Sequence, residues 1–147
     1  MNADQLPPVA TVPEMLQMMR IIESWAGTPF HHGQGQRGAG VDCAHFLQAV
    51  YHEMGWIPEF QLPYYPHDWM LHRDSERFLE TIAGYCVEIP SPKPGDAIVW
   101  RDGRTYSHGA ICLDNDCIAH AHVDRVVGID SLSEFAGKPM KFWRVIR

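Results

Sequence analysis

Residues 40–55 read "GVDCAHFLQAVYHEMG", a cysteine followed by apolar residues at helical spacing. The pattern predicts a helix from about Asp42 to Met54, with Gly55 as its stop. Cys43 then lies in the first turn, where unpaired N–H groups and the positive end of the helix dipole stabilise a thiolate. Because the thiolate is the reactive form, this position favours a nucleophile, although an inert buried thiol is the commoner fate of a free cysteine.

The chain on the N-terminal side of this helix contains a glycine-rich loop and a second predicted helix. The loop "HHGQGQRGAG" suits backbone that turns sharply or approaches a ligand closely, and it lacks the Gly-Lys-Ser/Thr ending of a phosphate loop. Thr11 and Glu14 form a capping box that predicts a helix over about 12–26. We expect residues 1–10 to be a loose arm and residues 11–147 to be a single domain.

The C-terminal half changes from helical to strand periodicity. A third helix is predicted at about 75–83, and six short β-rich runs separated by turn residues follow from residue 85 onward. Helices first and strands second indicate an α+β domain, with N-terminal helices packed on a C-terminal antiparallel sheet.

The segment "SHGAICLDNDCIAHAHV", residues 107–123, predicts a hairpin that carries three histidines. If residues 114–116 form its loop, the even-numbered residues of both strands share one face. His108 then lies opposite His122 and diagonal to His120, within reach of either ring. A base with an orienting partner is what a thiol nucleophile requires.

A zinc site is the competing interpretation of this hairpin. Cys112, Cys117, His120 and His122 give C-x4-C-x2-H-x-H, a spacing that fits no standard zinc module. The predicted register pairs Leu113 with Cys117, which directs Cys117 away from the two histidines. We therefore predict no metal site.

Three segments, "DCAHF", "PGDAIVW" and "SHGAICLDNDCIAHA", resemble in order and spacing the signature segments of the NlpC-type cell-wall peptidases, a papain-like family. The resemblance covers about residues 21–147 and implies a papain-like fold. It also implies that Cys43 is the nucleophile, His108 the base and His120 the residue that orients the base. His122 is the alternative for the third role.

The resemblance extends to segments outside these three. "WAGTPF", residues 25–30, is similar to a W-x-G-x-P-Y segment of the family, with Phe30 where tyrosine is usual, and Ala44 and His45 replace the usual serine and glycine. Residues 64–82 look like an insertion of phage-encoded members. The residues predicted to contact substrate are Phe30, His31, Asp42, Ala44, Ser107 and His122.

The activity that this resemblance implies is hydrolysis of an amide bond in a peptidoglycan stem peptide, after a γ-linked D-glutamate, through a thioester and without a cofactor. Two alternatives stay open. One is acyl transfer or amidation by the same thiolate on a substrate outside the wall. The other is a non-catalytic phage tail component that keeps the fold.

Composition limits the partners. The formal net charge of −6 argues against a nucleic-acid partner, and no apolar run reaches the roughly 18 residues of a membrane helix. The N-terminus "MNADQLPPVATVPE" has no basic start and no apolar core, so we expect synthesis in the cytoplasm without a signal peptide. Action on the wall would then require delivery by a phage tail or a secretion apparatus.

Overall fold

The computed structural model describes residues 5–62, 77–114 and 116–147. Within them the helices are α1 (Val12–Trp25), α2 (Cys43–Glu53) and α3 (Arg77–Ala83). The strands are β1 (Gly35–Gln36), β2 (Gly40–Val41), β3 (Cys86–Ile89), β4 (Ala97–Asp102), β5 (Thr105–Cys112), β6 (Cys117–His120), β7 (Gly128–Ser131) and β8 (Met140–Val145), and a 3₁₀ turn (Leu132–Phe135) follows β7.

The predicted helices are confirmed to within two residues where the structure describes them. At the start of α1, the Thr11 hydroxyl accepts from the Glu14 N–H and the Glu14 carboxylate accepts from the Thr11 N–H, which confirms the capping box. The predicted start of the third helix lies outside the described residues. None of the described helices is long and apolar enough to cross a membrane.

Six strands of the described chain form one sheet in the order β3-β8-β4-β5-β6-β7, and every neighbouring pair is antiparallel. Helices α1 and α2 share a core with odd-numbered residues of the central strands, among them Ala97, Ile111 and Ala119. The even-numbered residues form a second cluster on the other face, where Trp100 packs with Phe135. The α+β prediction is therefore confirmed.

The glycine-rich loop contains the short hairpin β1–β2, which the sequence did not predict. Gly40 permits the tight approach of two side chains, because a Cβ there would lie 2.6 Å from Gln34 Oε1 and 2.7 Å from His31 Cβ. Gly38 has φ +80°, a backbone conformation that favours glycine. This close packing brings the loop directly into β2 and then into α2.

Described residues near both ends of the chain meet beside β8, between β3 and β4 in the sheet. Arg144 on β8 donates two hydrogen bonds to Asp96, and both residues are buried. The same guanidinium donates to the Pro7 carbonyl, and Arg147 donates to the Pro8 carbonyl. These bonds hold part of the predicted arm against the last strand, and the boundary between arm and domain stays a prediction.

Candidate active site

Cys43 is the first residue of α2 and meets strand β5 through its sulfur. Its Sγ lies 3.5 Å from the Ser107 carbonyl oxygen, and the Gly109 N–H also faces it. Strand β6 pairs with β5 at Ile111 and Cys112 and ends at His120, so Ser107 and Gly109, whose backbone groups face the sulfur, lie beyond these pairs.

The helix start that carries Cys43 is held by its N-cap. Asp42 is buried, and its Oδ1 accepts from the His45 N–H at 2.9 Å, while its Oδ2 accepts from the Gly33 N–H at 2.8 Å. The carboxylate thus ties the glycine-rich loop to the first turn of α2. Asp42 is therefore the N-cap of α2, and its predicted contact with substrate stays a prediction.

The hairpin register agrees with the prediction. Ile111 pairs with Ala119 and Cys112 with Ile118, so the same register continued by one residue places Ala110 opposite His120. The ring of His108 lies close to those of His120 and His122, at centroid distances of 5.1 and 5.0 Å. All three imidazoles therefore gather at the end of the hairpin.

A single hydrogen bond distinguishes His120 from His122. Nε2 of His108 lies 2.9 Å from Nδ1 of His120, whereas Nδ1 of His122 donates to the Val123 carbonyl at 2.7 Å. His120 is 1% exposed and His122 is partly exposed. This geometry supports His120 as the orienting residue. The ring of His122 lies beside that of His108 without a hydrogen bond to it in the described contacts.

An aromatic layer packs against the ring of His108. The Trp100 ring lies 4.4 Å from that of His108 and stacks on Phe135 at 4.5 Å. Burial, reinforced by the neighbouring His120 and His122, lowers the pKa of His108 well below its usual value. The imidazole is consequently neutral, and able to accept a proton, near neutral pH.

Burial also decides the protonation state of Cys43. It raises the pKa of the Cys43 thiol to about 12, and the Asp42 carboxylate adds to the increase. The N–H groups of Gly109, Ala44 and Cys43 act in the opposite direction and do not outweigh burial. The thiolate that the helix terminus alone predicts is therefore not the resting form, and the Cys43 thiol and the His108 imidazole are both neutral near neutral pH.

The other predicted substrate contacts lie around the nucleophile. Ala44 follows it in α2 and is partly exposed, and Ser107 supplies the carbonyl at the sulfur. Phe30 is bridged to Val41 just before α2 and is partly exposed, while His31 is exposed. Each of these residues therefore lies in the region of Cys43, and its contact with substrate stays a prediction.

The residues considered as zinc ligands do not converge. Cys117 pairs with Ser131 at the start of β6, is exposed, and lies on the strand face opposite to that of His120. Among the described residues, no group of three or more metal-binding side chains is arranged to hold an ion.

One polar residue of the site was missed in the sequence. Asp130 on β7 places Oδ2 2.6 Å from His120 Nε2, and Arg125 donates to the same oxygen at 2.8 Å. Ile118 pairs with Asp130, so the even-numbered face that carries the histidines extends to β7. If the pairing of β6 with β7 had been known, the same alternation would have placed Asp130 on the face that carries the histidines.

Comparison with known proteins gives the family. A sequence model described as NlpC/P60 family matches residues 27–145. The chain belongs to the NlpC/P60 family. This confirms the resemblance seen in the signature segments of this NlpC/P60 domain, and no curated protein matches its sequence significantly.

Solved structures of other NlpC/P60 proteins share the fold. The NlpC/p60 domain of peptidoglycan hydrolase SagA is 20% identical, with a TM-score of 0.59 over 86% of this chain and 96% of that one. An NLP/P60 protein similar to a lipoprotein, from Staphylococcus aureus, is 22% identical, with a TM-score of 0.69 over 99% of this chain and 45% of that one. The present chain therefore spans less than half of that relative.

RipD from Mycobacterium tuberculosis shows that the fold also occurs without catalysis. It is described as a non-catalytic NlpC/p60 domain protein adapted to peptidoglycan binding, and it is 19% identical to this chain. The TM-score is 0.58 over 90% of this chain and 98% of RipD. Activity in this NlpC/P60 domain must accordingly be argued from its own residues.

Proposed function

We propose that this NlpC/P60 domain is a cysteine peptidase that hydrolyses an amide bond in peptidoglycan stem peptides. The observation that carries the proposal is the bond of 2.9 Å between His108 Nε2 and His120 Nδ1, beside a cysteine sulfur that lies against the Ser107 carbonyl. His120 engages one nitrogen of His108, which leaves Nδ1 for the thiol proton. In this proposal Cys43 is the nucleophile, His108 is the base and His120 is the residue that orients the base.

The first half of the reaction begins from the neutral pair. As Cys43 Sγ attacks the substrate carbonyl, its proton moves to His108 Nδ1, and a tetrahedral oxyanion forms. In this proposal the Cys43 N–H at the start of α2 donates to that oxygen, a kind of contribution often worth about 3 kcal/mol. Collapse breaks the C–N bond, and His108 gives its proton to the leaving amine.

The second half clears the acyl-enzyme. Neutral His108 takes a proton from water, whose oxygen attacks the thioester carbonyl. The C–S bond then breaks and His108 returns a proton to the sulfur, which restores thiol and imidazole. His120 holds the ring of His108 through both halves, so the same nitrogen serves as base and acid.

The substrate class is supported by relatives of the same family. SagA is named a peptidoglycan hydrolase, and its domain matches 86% of this chain. The family resemblance of the signature segments implies that the amide bond after a γ-linked D-glutamate is the one cleaved. Delivery by a phage tail or a secretion apparatus stays a prediction.

The test is a digest of purified muropeptides read by mass spectrometry, with Cys43→Ala as the matched inactive protein. We expect the unmodified protein to release a fragment with a new amino terminus. We expect Cys43→Ala to release none while its free energy of unfolding stays within about 2 kcal/mol of the parent. Equal fragments from both proteins, or fragments from neither, would contradict the proposal.

A peptidoglycan-binding role without catalysis is the second candidate, and RipD provides the observation that favours it. The intact set Cys43, His108 and His120 argues against it, because binding alone does not require a nucleophile beside a base. Muropeptide binding by both the parent and Cys43→Ala, with no cleavage by either, would favour this candidate. Transfer of an acyl group to an added amine, in place of hydrolysis, would favour the acyltransferase.

A further inference from the structure

A carboxylate continues the line of histidines beyond His120. Asp130 Oδ2 lies 2.6 Å from His120 Nε2, and Arg125 Nη1 donates to the same oxygen at 2.8 Å. Asp130 reaches this position because β7 pairs with β6 and places the carboxylate diagonally from His120 on the same face. The contacts run from Asp130 through His120 to His108, the proposed base.

The charge of Asp130 determines which nitrogen of the His120 ring carries a proton. Burial raises the pKa of Asp130, but hydrogen bonds from His120 and Arg125 outweigh it and leave the pKa below its usual value. An ionised carboxylate only accepts, so His120 carries its proton on Nε2. Burial lowers the pKa of His120 despite Asp130, so the ring is neutral and its Nδ1 has a lone pair.

The lone pair on His120 Nδ1 determines the tautomer of the base. Across the 2.9 Å contact, His108 must donate from Nε2, because His120 Nδ1 has no proton to give. A neutral His108 with its proton on Nε2 has a lone pair on Nδ1. This is the nitrogen that must accept the Cys43 proton in the proposed reaction.

We propose that Asp130 is a positioning residue that selects, through His120, the tautomer of His108 in which Nδ1 is the base. This inference rests on the proposed cysteine-peptidase function for its catalytic meaning. The tautomers themselves are a property of the resting protein, so they can be tested without a substrate.

The other groups that face His120 do not replace Asp130. Trp100 and Phe135 present ring faces and edges, at centroid distances of 6.0 and 5.5 Å. The His122 ring is 5.4 Å away, with its Nδ1 bonded to a backbone carbonyl, and Arg125 is a donor. Within the described residues, Asp130 supplies the carboxylate that the His120 ring contacts.

The first experiment reads the ring nitrogens by NMR in protein labelled with ¹⁵N-histidine and carrying Cys43→Ala. With Asp130 present, we expect His108 and His120 each to carry the proton on Nε2 and none on Nδ1. With Asp130→Ala added, we expect both rings to lose that single tautomer. Unchanged tautomers after Asp130→Ala, or a proton on His108 Nδ1 when Asp130 is present, would overturn the inference.

The second experiment is kinetic and uses the same substitution in the active protein. A positioning role predicts that Asp130→Ala lowers kcat by about 10- to 100-fold, as loss of an orienting partner does elsewhere, with KM within about twofold. Asp130→Asn keeps an oxygen where Oδ2 accepts both bonds, so it should recover most of the lost kcat. Wild-type kcat in Asp130→Ala would overturn the inference.

Asp116→Asn is the matched control for disturbance of β7. Asp116 accepts hydrogen bonds from Ser131 and Ser133 at the end of that strand and is not among the partners of His120. We expect this variant to keep kcat and both tautomers, and a loss equal to that of Asp130→Ala would overturn the inference. If no variant hydrolyses muropeptides, the proposed function fails, and the tautomers still decide the role of Asp130.

Discussion

His120 and His122 are two residues apart and contribute differently to the site. His120 is buried and holds His108 Nε2, whereas His122 holds a backbone carbonyl and is partly exposed. We predict that His120→Ala lowers kcat by about 100-fold or more, because the base loses its tautomer and its orientation. His122→Ala should lower kcat less than about tenfold and act mainly on KM.

Steady-state kinetics of these two variants on one muropeptide distinguish the roles. His122 serves as the matched control, since both histidines belong to the same hairpin end. A larger loss of kcat in His122→Ala than in His120→Ala would transfer the orienting role to His122.

The protonation state of Cys43 and His108 sets the expected pH dependence. The pKa of the thiol is raised to about 12 and that of His108 is lowered well below its usual value, both mainly by burial. Between these limits both groups are neutral, so we expect little thiolate near neutral pH. As the pH falls through the lowered pKa of His108, the base becomes protonated and kcat/KM should fall.

Two measurements check this state. Near neutral pH, the ultraviolet absorbance of the parent protein should equal that of Cys43→Ala, because Cys43 contributes no thiolate signal. The acidic limb of kcat/KM should lie below the ordinary range of a histidine. A thiolate signal near neutral pH, as an ion pair with His108 would give, would contradict the prediction.

At the scale of elements, Asp42 at the start of α2 affects both the stability of the helix and, after burial, the pKa of Cys43. The Asp42 carboxylate caps the helix and at the same time raises the pKa of Cys43. We predict that Asp42→Asn lowers the pKa of Cys43, because it removes the negative charge and keeps an oxygen to accept from the His45 N–H. The lost bond from Gly33 should cost about 1–2 kcal/mol of stability.

The pH dependence of Cys43 alkylation measures this change, with unfolding in urea to follow stability. Asp42→Ala is the comparison, since it removes the charge and the cap together and should destabilise the protein more than Asp42→Asn does. An unchanged or raised pKa of Cys43 in Asp42→Asn would contradict the electrostatic part of the argument.

The hairpin shows which parts of the site the sequence could predict. A three-residue loop and strict alternation determine that His108 and His120 share a face, so their register could be predicted. The seven residues between β6 and β7 match no fixed turn type, so the sequence did not indicate Asp130. The protonation state of Cys43 could not be predicted either. The effect of the helix terminus can be read from the local sequence, whereas the burial of the thiol depends on how α2 packs against β5.

Over the whole molecule, the order of elements was predictable and the contacts between chain ends were not. Helices followed by strands predict an α+β domain at the level of periodicity. The bond from Arg144 to the Pro7 carbonyl joins residues 137 positions apart, and no local pattern announces it. Arg144 is also buried with Asp96, a residue of the segment "PGDAIVW" for which the sequence predicted no partner.

This buried pair gives a prediction about the stability of the whole domain. Arg144 joins β8 to the segment before β4 and to the N-terminal residues, and its side chain is 7% exposed. Arg144→Ala leaves the Asp96 carboxylate buried without its partner, so we expect a loss of about 3–5 kcal/mol in the free energy of unfolding. Arg147→Ala removes a bond to the Pro8 carbonyl, an ion pair with Glu14 and a cation–π contact with Trp56, but it leaves no buried charge unpaired, so it should cost less, about 1–2 kcal/mol.

Urea unfolding of the two variants measures the difference, and an unchanged slope with denaturant would show that the unfolded state is the same. Replacing both partners, with Arg144→Met and Asp96→Leu, should recover much of the loss, because no buried charge then remains. If Arg144→Ala destabilises no more than Arg147→Ala, the buried pair does not hold the chain ends to the sheet. Activity at temperatures below unfolding should be unaffected in every case, since Arg144 and Asp96 do not contact Cys43, His108 or His120.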